Sequence, residues 1–151
     1  MQWKPDPTFY ATPKHAMQAP AERLAYVALL NPSHERPDAI GVVDVDPTSP
    51  TYGTLVGQAD MPSPGDELHH FGWNACSSHF CAYAARPHVE RRYLIVPGIH
   101  SSRIAIFDTK PDPRRPELVK LIDAETIAER TGYITPHTTH CGPDGIYVNA
   151  L

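Results

Sequence analysis

No run of about 18 consecutive apolar residues occurs in the chain, so nothing in it reads as a transmembrane helix. Its opening residues, Met1-Gln2-Trp3-Lys4-Pro5-Asp6, lack the apolar core of a secretory signal, and the expected compartment is the cytoplasm. Excess positive charge is missing too. Thirteen Lys and Arg stand against seventeen Asp and Glu, a net charge of -4, and there is no long basic run. A nucleic-acid surface is not expected on those grounds, and neither is a membrane partner. Cysteine is scarce: three residues, an odd number, which does not make a disulfide scaffold. Glycine numbers only nine.

What is present is unusual in two ways. Seventeen prolines in 151 residues are about twice ordinary usage. An interior proline removes a helical hydrogen bond and clashes with the preceding turn, so long helices are excluded. Nine histidines, several of them clustered, mark where chemistry is expected. The apolar share of 41% is that of a folding chain and not of a disordered one.

Residues 1–22 are polar and broken by proline, and read as an irregular arm. Short β-branched or apolar runs follow, each closed by turn residues. These are Arg23 to Leu30, Ala39 to Val45, Thr54 to Ala59, Tyr93 to Val96, Arg103 to Asp108, Glu117 to Ile122 and Ile146 to Ala150, all read as strands. Residues 61–81 read as an ordered, histidine-rich loop. One short helix is expected over Ala124 to Arg130, with Asp123 as its cap and Gly132 as its terminator. IGVVDVDPTSP from residue 40 and IAIFDTKPDPRRP from residue 104 share one plan: strand, Asp, proline-rich connector, strand. The fold class is therefore all-β, and 23–151 reads as part of a β-propeller or as a small sandwich. Two blades cannot close a ring, so the pattern is that of a fragment or of a subunit completed by another chain.

Four groups of residues can carry chemistry. His137 and His140 in His137-Thr138-Thr139-His140-Cys141 place two imidazoles on one side of a turn, with Cys141 beside them. Such donors suit copper or zinc; the alternative is a polar loop whose histidines bond backbone carbonyls. If Asp66-Glu67-Leu68-His69-His70 is extended, His69 and His70 point to opposite faces and only one reaches a given metal. Glu67 or Asp66 can then orient an imidazole, unless the segment is simply a solvated acidic turn. Cys76, three residues before His79 and close to Cys81, can bind a metal or a soft electrophile, or serve as a small buried thiol. Arg103 can hold an anion or a carboxylate, or lie on the surface. Trp73 is expected in the core.

DELHHFGWNACSS (66–78), HSSRIAIFD (100–108), PHTTHC (136–141), VDVDPTSPTYG (43–53) and YATPKHAM (10–17) resemble, in order, the N-terminal third of the selenium-binding protein family, also known as the methanethiol oxidase family. The resemblance implies a seven-bladed β-propeller, of which this chain supplies about the first two blades. It implies copper-dependent oxidation of methanethiol by O2 and water to formaldehyde, hydrogen sulfide and hydrogen peroxide. His69, His70, His137 and His140 are the implied metal ligands. Selenium, bound through cysteine, is the second implied cofactor, with Cys76, Cys81 and Cys141 as candidates. The animal members carry their selenium cysteine after Pro-x-Tyr, where this chain has Gly53, and a Cys-x-x-Cys where it has Cys76-Ser77-Ser78-His79. A selenium or metal carrier without turnover, and an inactive truncated product, are the alternatives.

Overall fold

The computed structural model describes residues 8–76 and 89–151. Among the described residues, nine strands lie in three antiparallel sheets. The first sheet runs β1 (Leu24–Leu29), β2 (Ala39–Asp44), β3 (Leu55–Asp60). The second runs β4 (Gly72–Trp73), β5 (Tyr93–Gly98), β6 (Arg103–Asp108), β7 (Glu117–Ile122). The third is the hairpin of β8 (Pro136–Cys141) and β9 (Ile146–Ala150). Each expected strand is present within a residue or two. The exception in kind is β8, a proline- and histidine-bearing segment that carries none of the β-branched apolar alternation by which strands are recognised.

Two helices are described where one is expected. Helix α2 (Ala124–Thr131) begins at Asp123, whose side chain accepts from the Thr126 backbone N–H at 2.7 Å, and ends at Gly132 with φ 76°. The other, α1 (Pro13–Met17), lies in the arm that reads as irregular. Thr12 caps it, accepting from the His15 N–H, and Pro13 fits a first turn that needs no donor. Among the described residues no helix is long and apolar enough to cross a membrane.

The core lies between the first and second sheets. Ile40 of β2 meets Leu94 and Val96 of β5 and Ala105 and Phe107 of β6, with Met61 and Leu68 from the connection between the sheets. Central strands are buried on both faces, so their apolar runs are continuous instead of alternating. Tyr26 and Trp73 pack on this cluster edge to face, ring centres 5.5 Å apart, and Trp73 is a core-packing residue as expected.

The internal repeat is structural. β2 and β6 are both interior strands flanked by antiparallel neighbours, and each carries a register shift just before its end, at Val42/Val43 and at Ile106/Phe107. Each ends in a buried aspartate, Asp44 and Asp108. Each aspartate accepts from the backbone N–H two residues on, Asp46 and Lys110, at 3.0 Å, which turns the chain sharply into the proline-rich connector. Asp44 also takes the hydroxyls of Ser49 (2.5 Å) and Thr51 (2.6 Å), while Asp108 receives the Arg92 guanidinium.

Hydroxyl donors hold the Asp44 carboxyl below its ordinary range, and Arg92 does the same for Asp108. Ionised carboxylates are therefore favoured in the folded state. The stability they contribute is present above the unfolded pKa of about 4 and is lost as pH falls through the lower folded values. Thermal melting followed by circular dichroism from pH 7 to pH 2 should show the midpoint falling below about pH 4. Asp44→Asn and Asp108→Asn should each lower it at neutral pH and flatten that fall.

Candidate metal centre

Three imidazoles meet at the edge of the second sheet. His69 and His70 come from the connection that leads into β4, and His137 from the start of β8. Ring centres are 4.8 Å apart for His69 and His70, and 4.6 Å for each of them to His137. One ring nitrogen from each lies within 4.8 Å of the other two. His69 Nδ1 is 2.8 Å from His70 Nδ1. His69 and His137 are half-buried and His70 is exposed, so the group opens to solvent on one side.

The backbone explains how adjacent histidines share a site. Glu67 adopts φ 50°, and only Leu68 makes a bridge, to Gly98. His69 lies outside any strand and the chain bends at His70, so the alternation of a pleated strand does not hold across the pair. The condition under which His69 and His70 would face opposite ways, an extended segment, is not met at this pair. Leu68 is buried in the core, the His69 N–H donates to the Pro97 carbonyl at 3.1 Å, and the His70 carbonyl accepts from the Thr139 N–H at 3.1 Å. The pair is pinned to β5 on one side and to β8 on the other.

Gly72 makes the approach of β8 feasible. A Cβ there would stand 3.1 Å from the Thr139 carbonyl oxygen. On β8 the register shifts between Pro136 and Thr138, so His137 occupies an irregular position that aims its ring at the pair. Burial lowers the His137 pKa, and the neighbouring His69 and His70 add to the effect. The neutral imidazole, which is the form that binds metal, is favoured.

His140 is not part of this cluster. It stands three positions along the strand from His137, and its Nδ1 lies 2.6 Å from the Cys141 carbonyl oxygen. The expected placement of the two on one side of a turn is corrected, because the segment is a strand. Cys76 and Cys141 are joined in a disulfide across 65 residues, with Cα atoms 6.1 Å apart. The expectation of free thiols at these two positions is corrected as well: neither presents a thiolate while the bond stands. Cys81 and His79 lie outside the described residues.

Arg103 holds a carboxylate, as its residue type allows, but that of the chain itself. Its Nε and Nη2 donate to one oxygen of the buried Asp66 at 3.1 and 2.7 Å, and Nη2 also reaches Ser63 Oγ at 2.8 Å. Glu67 stands between two imidazoles, with one oxygen 4.0 Å from His69 Nε2 and the other 3.1 Å from His100 Nε2. His100 and its neighbour His34 escape sequence reasoning, since each is a lone histidine in a turn and no spacing signals them.

Three nitrogen donors with one open side suit a copper or zinc ion that keeps an exchangeable position. The residues therefore fit such a metal. The disulfide ties the end of β4 to β8, the two elements whose approach assembles the cluster. Replacing Cys76 and Cys141 by Ser should cost about 4 kcal/mol on the chain-entropy account of a loop this long. Urea unfolding with and without reductant would measure it, and the reduced wild type should match the double variant.

A sequence model of the 56 kDa selenium binding protein (SBP56) family matches residues 3–151. Selenium-binding protein 2 of Arabidopsis thaliana is 48% identical over 139 residues, which are 90% of this chain and 28% of that protein. Methanethiol oxidase of Mus musculus is 41% identical over 138 residues, with the same two shares. The X-ray structure of a hypothetical selenium-binding protein from Sulfolobus tokodaii superposes with a TM-score of 0.92 at 55% identity, over 97% of this chain and 32% of that one. The chain thus spans about three tenths of the length of the relatives it matches. With a family match over nearly its whole length, and a fold shared with a solved relative, the chain belongs to the selenium-binding protein (SBP56) family.

Proposed function

We propose that this chain forms the N-terminal part of a copper-dependent methanethiol oxidase, converting methanethiol, O2 and water to formaldehyde, hydrogen sulfide and hydrogen peroxide. The observation that carries this reading is the convergence of His69, His70 and His137 from segments far apart in the chain. Relatives that bear the name methanethiol oxidase supply the reaction class. Copper, when bound, supplies one-electron exchange with a soft thiol and with oxygen. The residues' own part is to present neutral imidazoles on a stiff backbone and to leave an open side for a small thiol. His140, which lies outside the cluster, would join as a ligand only if its ring turned away from the Cys141 carbonyl.

On this reading residues 1–22 are an arm, and 23–151 are about two blades of a seven-bladed propeller. The four-stranded antiparallel sheet has the make-up of one blade, and the repeated turn chemistry at Asp44 and Asp108 supports two. Exposed Leu118, Val119, Ile146 and Tyr147 on β7 and β9 support further sheets packing beside these. The rival reading is a selenium or metal carrier without turnover. For selenium it needs a free thiol, which the disulfide denies at Cys76 and Cys141 and leaves to Cys81.

Copper content and turnover test the proposal. His137→Ala should weaken copper binding at the three-histidine centre at least tenfold, and His140→Ala should change it less than twofold. In a full-length relative the substitution equivalent to His137→Ala should abolish peroxide and sulfide release from methanethiol. Undiminished copper in His137→Ala would overturn the assignment of the centre. Copper binding without any peroxide or sulfide release would leave the carrier.

A further inference from the structure

Beside the three-histidine cluster, on the same loop face, lies a second group of donors with no role in the reading above. His34 comes from the turn between β1 and β2, Glu67 from the connection into β4, and His100 from the turn between β5 and β6. His100 Nε2 is 3.1 Å from Glu67 Oε2. The His34 and His100 ring centres are 6.3 Å apart, with planes inclined at 46°. His34 Nδ1 is turned toward the 65–67 turn, 3.8 Å from where a side chain on Gly65 would begin. We propose that His34, Glu67 and His100 form a second binding site for a divalent transition-metal ion of the zinc class, separate from the three-histidine centre.

One of the three donor pairs already has the spacing such an ion asks, and His34 must move to join it. Ligand atoms about 2.0–2.2 Å from a tetrahedral zinc stand about 3.3 Å from each other. The nitrogen and oxygen of His100 and Glu67 are already at nearly that spacing. Two imidazoles on one ion have ring centres about 5–6 Å apart, so His34 needs a shift of about an ångström, within reach of side-chain rotation. A cavity of about 230 Å³ is lined by His34 and Glu67, with Leu30, Asn31, Pro32 and Asp38, and His100 reaches it only through Glu67. The donors are accessible: the His100 side chain is 56% exposed and that of Glu67 37%. Two imidazoles and one carboxylate are the donor set of zinc sites that keep a water.

The loops that carry these donors are held in place. Asp38, buried, accepts from the Asn31 N–H with one oxygen (2.7 Å) and from the Leu68 N–H with the other (3.2 Å), which ties the His34 turn to the Glu67 segment. The Ile99 and His100 N–H groups donate to the Glu67 and Asp66 carbonyls, both at 3.1 Å, which ties the His100 turn to the same segment. Asp38 spends both oxygens on these bonds and is a clamp, not a ligand. An ion here would also fix the Glu67 carboxylate, whose other oxygen faces His69.

Zinc alone, titrated against a chromophoric chelator, tests the site, with cobalt as a spectroscopic substitute. The wild-type chain should bind two equivalents. His34→Ala/His100→Ala should bind one, with its thermal transition retained, since both side chains are exposed. His69→Ala/His70→Ala/His137→Ala should keep one equivalent, held at least tenfold more weakly once His34→Ala/His100→Ala is added. Cobalt bound to the triple variant should show tetrahedral visible bands. Unchanged stoichiometry and affinity in folded His34→Ala/His100→Ala would overturn the site, as would a folded triple variant that binds no zinc. Because the two centres are removed by different substitutions, failure here is distinct from failure of the copper reading.

Discussion

The approach of β8 to the entry of β4 is the contact on which the candidate centre depends. One hydrogen bond, from the Thr139 N–H to the His70 carbonyl, sets the two segments side by side, and the absent side chain of Gly72 gives the backbone room. Closing so long a stretch of chain costs conformational entropy whether or not a metal is present. That cost is met by the strand pairing around the site and by the Cys76–Cys141 disulfide. Three imidazoles can then be held near one another without any local spacing rule, and the positive charge they would accumulate is avoided because His137 is disposed to stay neutral.

Buried aspartates organise the rest of the loop face. Asp38, Asp44, Asp66 and Asp108 are all nearly inaccessible, and each receives hydrogen bonds from backbone, hydroxyl or guanidinium donors. A buried carboxylate without such donors would be costly; with them it becomes a junction. Asp44 and Asp108 turn the chain at the ends of equivalent strands. Asp38 and Asp66 tie neighbouring loops together. Loops are ordinarily the least constrained parts of a fold, and these clamps let turn-borne histidines keep fixed relations to one another.

Much of this architecture is legible in the residues. Continuous apolar runs at β2, β5 and β6 mark central strands, because both faces of such strands are buried. Asp123 and Gly132 delimit α2 because cap chemistry is local. The repeated Asp after a β-branched run announces two equivalent turns for the same reason. Less legible is β8, whose Pro136-His137-Thr138-Thr139-His140-Cys141 reads as a loop; it pairs with β9 all the same. The partnership of Cys76 with Cys141 is similarly hidden, since three cysteines allow several pairings and composition chooses none of them.

Local chemistry was enough to name the donor-rich segments, the strand and helix boundaries, and the family to which they belong, since each depends on residues within a few positions of one another. Which histidines meet is a different kind of question. His70 joins His69 because the chain bends at His70, His140 stands apart because its segment is a strand, and Glu67 comes to lie between His69 and His100 because three turns are clamped together. Those outcomes depend on backbone twist and on contacts between distant parts of the chain, and no spacing along it encodes them.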